Sequence, residues 1–221
     1  MIAEDLLLLL LDNASAQPAL DQPRLDHVLA AAVLLDLAYQ CRIRPAATGD
    51  PAPPGALIAL AAPGPVHPVA APALDLLRSR PLSAGPALKK VSRHARDRLV
   101  AHLEATGQIA RVPLSDSRFR RSFALPLTDR TRPGAARAAL LAALFERQPP
   151  APVTAAIVTV LHAVDGLGAL LSLNDRGWRW VHARAGEIAA GSWVDESPSG
   201  LAEVNLAVTA AAVRPALAGL S

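Results

Sequence analysis

Aromatic residues make up only 3% of this 221-residue chain, although 52% of it is hydrophobic. The core must therefore be built from Ala, Leu and Val, which pack helix against helix closely, and this favours an all-α reading. Cysteine is nearly absent as well. The single thiol, Cys41, excludes an internal disulfide and a cysteine-based zinc site, fits a reducing compartment, and reads as a half-buried group near a helix end. The apolar run at the N-terminus, Leu6 to Leu11, is short and preceded by Glu4 and Asp5. A signal peptide needs a basic start and a longer run, and a spanning helix needs about 20 residues, so neither is expected there. Without secretion, the Asn13-Ala14-Ser15 triplet carries no glycan.

Catalytic signatures are also missing. The chain has no His-Glu-x-x-His, Gly-x-Ser-x-Gly, P-loop or acidic calcium loop, so no enzymatic activity, cofactor or metal is expected. Gly166-Leu167-Gly168 lacks the third glycine and the preceding strand of a dinucleotide loop and reads as a helix irregularity. His162 and Asp165, three apart on an apolar segment, could orient an imidazole for acid-base work. With no nucleophile nearby in sequence, the preferred reading is a hydrogen-bonded core histidine.

What is present is helical periodicity. The length fits one domain over 1–221. Ile2 to Asp12 reads as a short helix with acids in its first turn, and Asn13 to Pro23 as a loop. From Arg24, apolar residues at Leu25, Val28, Leu29, Ala32, Leu35 and Ala38 mark a long core helix to about Gln40. Eight prolines between Arg44 and Pro72 allow only a brief strand at 56–62, so about 44–72 reads as a linker-like excursion. Helices follow at 73–80 and 86–106, the second stopped by Gly107. Alternation around Ser115-Asp116-Ser117 predicts a β-hairpin over about 108–127. Helices at 133–147, 153–171, 178–190 and 201–213 complete the chain, with little regular structure after Pro215. The expected fold is mainly α: a single helical-bundle domain with one β-hairpin.

Charge is unevenly distributed. Pro86 to Arg147 carries 13 Lys and Arg against 5 Asp and Glu, whereas the remainder carries 9 against 14. The excess falls on three consecutive elements: Lys89, Lys90, Arg93 and Arg96; then Arg118, Arg120 and Arg121; then Arg130, Arg132 and Arg137. Such a surface attracts phosphate. A basic helix followed by a basic hairpin is also how a winged helix meets DNA, but aromatic or Asn/Gln residues for reading and stacking bases are missing. Nucleic acid is therefore the alternative partner, and an anionic phospholipid surface the preferred one.

Several segments, in order, resemble the Golgi phosphoprotein 3 family, which includes bacterial, largely actinobacterial, members. They are Ala3-Glu4-Asp5 with Leu6 to Leu11; Ala32-Val33-Leu34-Leu35-Asp36-Leu37-Ala38 with Cys41-Arg42-Ile43; Val91 with Arg96-Asp97-Arg98-Leu99 and Gly107; Leu125-Pro126-Leu127-Thr128; and Leu161-His162-Ala163 with Asp165. The resemblance implies a mainly helical fold whose hairpin takes part in self-association. It also implies a cytoplasmic, peripheral membrane adaptor that binds phosphatidylinositol phosphate, holds protein clients and forms homo-oligomers. The family's lipid pocket uses a tryptophan before the long helix, an arginine within it and two basic residues after Pro-Leu-Thr. The matching positions here are Asp21, Ala30, Ala135 and Ala138. Headgroup binding is therefore expected at the nearby Arg24, Arg130, Arg132 and Arg137, aided by Arg118, Arg120 and Arg121.

Overall fold

A computed structural model describes residues 1–114, 123–195 and 200–220. Helix α1, Ile2–Leu11, is apolar all round after the Glu4 and Asp5 of its first turn, and a stretch without a polar face has to be surrounded by other helices. Its six leucines are indeed at most 1% exposed. Helix α2, Gln22–Tyr39, lies against α1 and carries an almost unbroken buried run from Val28 to Ala38. One buried apolar cluster extends from Ile2 to Leu217 and joins α1 and α2 to α4, Ala84–Ala105, α6, Pro152–Ala163, and α9, Leu201–Ala218. Helices α3, Ala71–Ser79, α5, Thr131–Phe145, α7, Asp175–Ala189, and the short α8, Ser192–Asp195, flank this centre. The protein is thus mainly α, with two small antiparallel strand pairs among the described residues.

Proline explains several differences from the expected boundaries. Helix α2 starts at Gln22 instead of Arg24, because Pro23 is tolerated in a first turn whose amides are unbonded in any case. Asp21 caps it by accepting the Arg24 N–H at 3.1 Å. Pro72 and Pro86 likewise lie inside the first turns of α3 and α4. At the other end of the chain, α9 runs through Pro215 to Ala218 where irregular structure was expected. Buried Val213 and Leu217 anchor the turns on either side of the proline.

Left-handed residues close several helices. Gly107, at φ +69°, ends α4 as expected, with the Gln108 N–H donating to the Leu103 carbonyl at 2.8 Å. Cys41 does the same for α2 at φ +53°, and Asp165 for α6 at φ +52°, both in the Schellman pattern. The expected helix 153–171 therefore stops at Ala163. A 3-10 turn at Leu167–Ala169 follows, so the Gly-Leu-Gly stretch lies beyond the helix end.

The proline-rich excursion is more ordered than expected. Strand β1, Ile43–Pro45, pairs antiparallel with β2, Leu57–Ala59. Beyond them the prolines leave carbonyls with no amide partners. Arg42, 4% exposed, supplies the donors: its guanidinium reaches the carbonyls of Ala62, Pro63 and Gly64 at 2.8, 2.7 and 2.6 Å. It also lies just past the C-terminus of α2, where positive charge is favoured. Arg42→Ala should cost about 2–3 kcal/mol and open the chain near residues 60–66 to protease. Chemical denaturation with limited proteolysis checks this.

The two arms of the expected hairpin are present, and its turn at Ser115-Asp116-Ser117 lies outside the described residues. Strand β3, Val112–Pro113, pairs with β4, Phe123–Ala124, and an Ile109–Leu127 bridge extends the register. Arg118, Arg120 and Arg121 lie outside the described residues.

Candidate functional site

Glu4 and Asp5, in the first turn of α1, are the acids to which the basic segment answers. Glu4 is 6% exposed, and a buried carboxylate needs a cationic partner. Arg132, near the start of α5, supplies it. Its Nη2 lies 2.7 Å from Glu4 Oε2, its Nε 2.6 Å from Asp5 Oδ1, and its Nη1 donates to Gln108 Oε1 at 2.7 Å. Burial pushes the Glu4 carboxyl up, but the Arg132 hydrogen bond, the N-terminal ammonium and the Arg132 charge together outweigh it and hold the group below the usual carboxylate value. Arg132 thereby braces α5 and the end of α4 against α1.

The other three candidate arginines are placed differently. Arg130, whose side chain is 73% exposed, and Arg137 both approach Asp12, at 3.8 and 3.4 Å. Arg137 also donates to the carbonyls of Asp12 and Leu170, each at 3.3 Å. Arg24 pairs with Asp21 and reaches the Val164 carbonyl at 3.5 Å. Arg130 and Arg137 thus share one carboxylate, Arg24 and Arg137 touch the two ends of the stretch after α6, and Arg132 turns toward Glu4 and Asp5.

Helix α4 carries a group of cations that no carboxylate compensates among the described residues. Its apolar stripe, Leu88, Val91, Ala95, Leu99 and Leu103, is buried and turns the basic residues outward. Arg96 is engaged by Asp26 at 3.5 Å and Asp97 at 3.8 Å. Lys89, Lys90, Arg93 and Arg98 have no ion-pair partner among the described residues. Lys90, Arg93 and Arg98 line a groove of about 270 Å³ against Pro72, Ala73 and Leu76 of α3. A second cavity, about 550 Å³, opens between the start of α2, α4 and the hairpin base, but its cations are already paired. Arg111 there contacts Glu104 at 3.2 Å and lies over the Phe123 ring at 5.2 Å.

The Golgi phosphoprotein 3 (GPP34) family model matches residues 2–203. The chain belongs to that family. No curated protein matches it. Membership supports a lipid-associated role of the Golgi phosphoprotein kind.

In this Golgi phosphoprotein 3-family chain, His162 and Asp165 do not form an acid-base pair. The left-handed turn at Asp165 leaves its side chain 86% exposed, 3.9 Å from His182 Nε2. His162 is half-buried with its ring 5.6 Å from that of His182, and its Nδ1 has no hydrogen-bond partner, unlike the hydrogen-bonded core histidine expected. Burial pushes this imidazole below its usual value, and the His182 charge adds to the effect.

Helix α9 is long and apolar enough to cross a membrane by length and composition. Its Leu206, Thr209, Ala210, Val213 and Leu217 pack into the protein, whereas Leu201, Val204 and Val208 are exposed.

Sequence reasoning missed Glu4, His67 and His102, whose side chains meet although they come from distant segments. Glu4 Oε1 lies 3.2 Å from His67 Nε2 and 3.1 Å from His102 Nε2. One signal was available: an acid beside a run of core leucines has to find partners elsewhere in the chain.

Proposed function

We propose that this protein is a peripheral adaptor that associates with anionic phospholipid at the cytoplasmic face of a membrane, through the basic face of α4. The observation that carries this reading is the group Lys89, Lys90, Arg93 and Arg98, which point outward with no carboxylate paired to them among the described residues. Each Lys or Arg near an anionic bilayer contributes about 1 kcal/mol without stereospecific contacts. Arg130, the most exposed of the family-pocket candidates, adds to this attraction, and Arg24 and Arg137 lie where a headgroup phosphate could displace Asp21 and Asp12. Arg132 has a bracing role. Self-association and a protein client, both in keeping with the family, would add avidity.

The same face could meet nucleic acid, the alternative raised by the basic helix and hairpin. A direct competition separates the two: vesicles containing phosphatidylserine are added to the protein bound to labelled duplex DNA. The membrane reading predicts that vesicles retain the protein at physiological salt while DNA does not. Retention on DNA with a steep salt slope and no vesicle binding favours the alternative.

A further inference from the structure

Glu4 in the first turn of α1, His67 just before α3 and His102 in the last turn of α4 each offer one donor atom, and all three donors lie within 4.8 Å of one another. Zinc binds imidazole nitrogen and carboxylate oxygen at about 2.0–2.2 Å, so neighbouring donors around a tetrahedral ion stand about 3.3 Å apart. Glu4 Oε1 is 3.2 Å from one imidazole Nε2 and 3.1 Å from the other. Both contacts already have the length of a coordination edge. The rings stand nearly perpendicular, at 74° with centroids 4.6 Å apart, so each can turn its nitrogen to the shared point without stacking on the other.

We propose that Glu4, His67 and His102 form a binding site for a borderline divalent cation of the Zn²⁺ type, with one coordination position open to water. Two imidazoles and a carboxylate suit zinc, whereas magnesium and calcium favour all-oxygen sets. Arg132 occupies the second oxygen of Glu4, which fixes the carboxylate and leaves Oε1 as the single donor, as an outer-shell partner should. Asp5, on the Arg132 Nε, offsets the guanidinium charge. The His67 and His102 side chains are 25% and 23% exposed, so an ion can enter from solvent and keep a water ligand. Burial disfavours the charged form of the His67 imidazole. The Val69 N–H, 3.4 Å from His67 Nδ1, is too distant to fix the tautomer against a metal. A bound ion would clamp the proline-rich segment and α4 onto the first turn of α1.

The test is titration of the chelator-treated chain with Zn²⁺ by calorimetry, in a Cys41→Ser background that removes the one thiol. One equivalent should bind, excess Mg²⁺ should not compete, and His67→Gln with His102→Gln should lower affinity by about 100-fold or more. Co²⁺ added to the chain with its histidines intact should give the strong visible absorption of a four-coordinate ion, a readout that does not depend on the histidine variants folding. Absence of Zn²⁺ binding, equal binding by the folded double variant, or a weak six-coordinate Co²⁺ spectrum would each overturn the site.

Discussion

Replacing Lys89, Lys90, Arg93 and Arg98 together by Gln should weaken binding to vesicles containing phosphatidylserine by about 10²-fold. Four charges at about 1 kcal/mol each set an upper bound near 10³, and Lys90, half-buried in the groove against α3, contributes less than a full share. The fold should survive. All four side chains lie on the solvent side of α4, and the buried stripe from Leu88 to Leu103 is untouched. Arg130→Ala alone should cost less than about five-fold by the same arithmetic, because Asp12 offsets part of its charge. Vesicle co-sedimentation of the circular-dichroism-matched variants measures both. Unchanged binding of the quadruple variant would remove α4 from the proposed membrane face.

The largest effect on stability should come from Asp36. This α2 carboxylate, 4% exposed, accepts the Ile2 and Ala3 amides at 2.7 and 3.0 Å and so caps α1 from a neighbouring helix. Asp36→Ala leaves two buried N–H groups unpaired, at about 1–3 kcal/mol each. A loss of about 3 kcal/mol, or roughly 10 °C in Tm for a chain of this size, is expected. Burial pushes the Asp36 carboxyl from 3.8 up to about 7, against the two N–H bonds that pull it down. Between those values the folded state holds more protons than the unfolded one, so this group's contribution falls as pH rises from about 4 to 7. Asp36→Asn removes the titration. The stability of the unmodified chain relative to Asp36→Asn should therefore decline over that window, as followed by denaturant titration at stepped pH. A constant difference would show that Asp36 ionises normally.

The parts of this fold legible in sequence are those set by local periodicity and punctuation. The three-and-four spacing from Leu25 to Ala38 and from Leu88 to Leu103 marks α2 and α4, and Gly107 marks a stop because its left-handed turn is easy only for glycine. The same turn at Cys41 and Asp165 was not legible, because there tertiary packing imposes a conformation that neither residue announces. Proline misled in both directions, hiding the starts of α2, α3 and α4 and suggesting an end to α9 that packing of Val213 and Leu217 overrides. The β1–β2 pair depends on register, and its neighbouring loop on a long-range donor in Arg42.

The candidate site divides in the same way. An excess of cations between Pro86 and Arg147 can be counted in the sequence. Which of those cations are neutralised depends on acids far away in the chain: Glu4 and Asp5 for Arg132, Asp12 for Arg130 and Arg137, and Asp26 for Arg96. Once those pairs are made, Lys89, Lys90, Arg93 and Arg98 of α4 are the cations of that segment left without a carboxylate among the described residues, whereas the family pattern directed attention to the arginines near Ala135 and Ala138.

Co-sedimentation of the unmodified protein with phosphatidylserine-containing and with purely neutral vesicles, across a salt series, tests the central claim most directly. Binding to the anionic vesicles that is lost as ionic strength rises, with none to the neutral ones, is the predicted result. Equal binding to both, or binding to anionic vesicles that salt does not weaken, would contradict it.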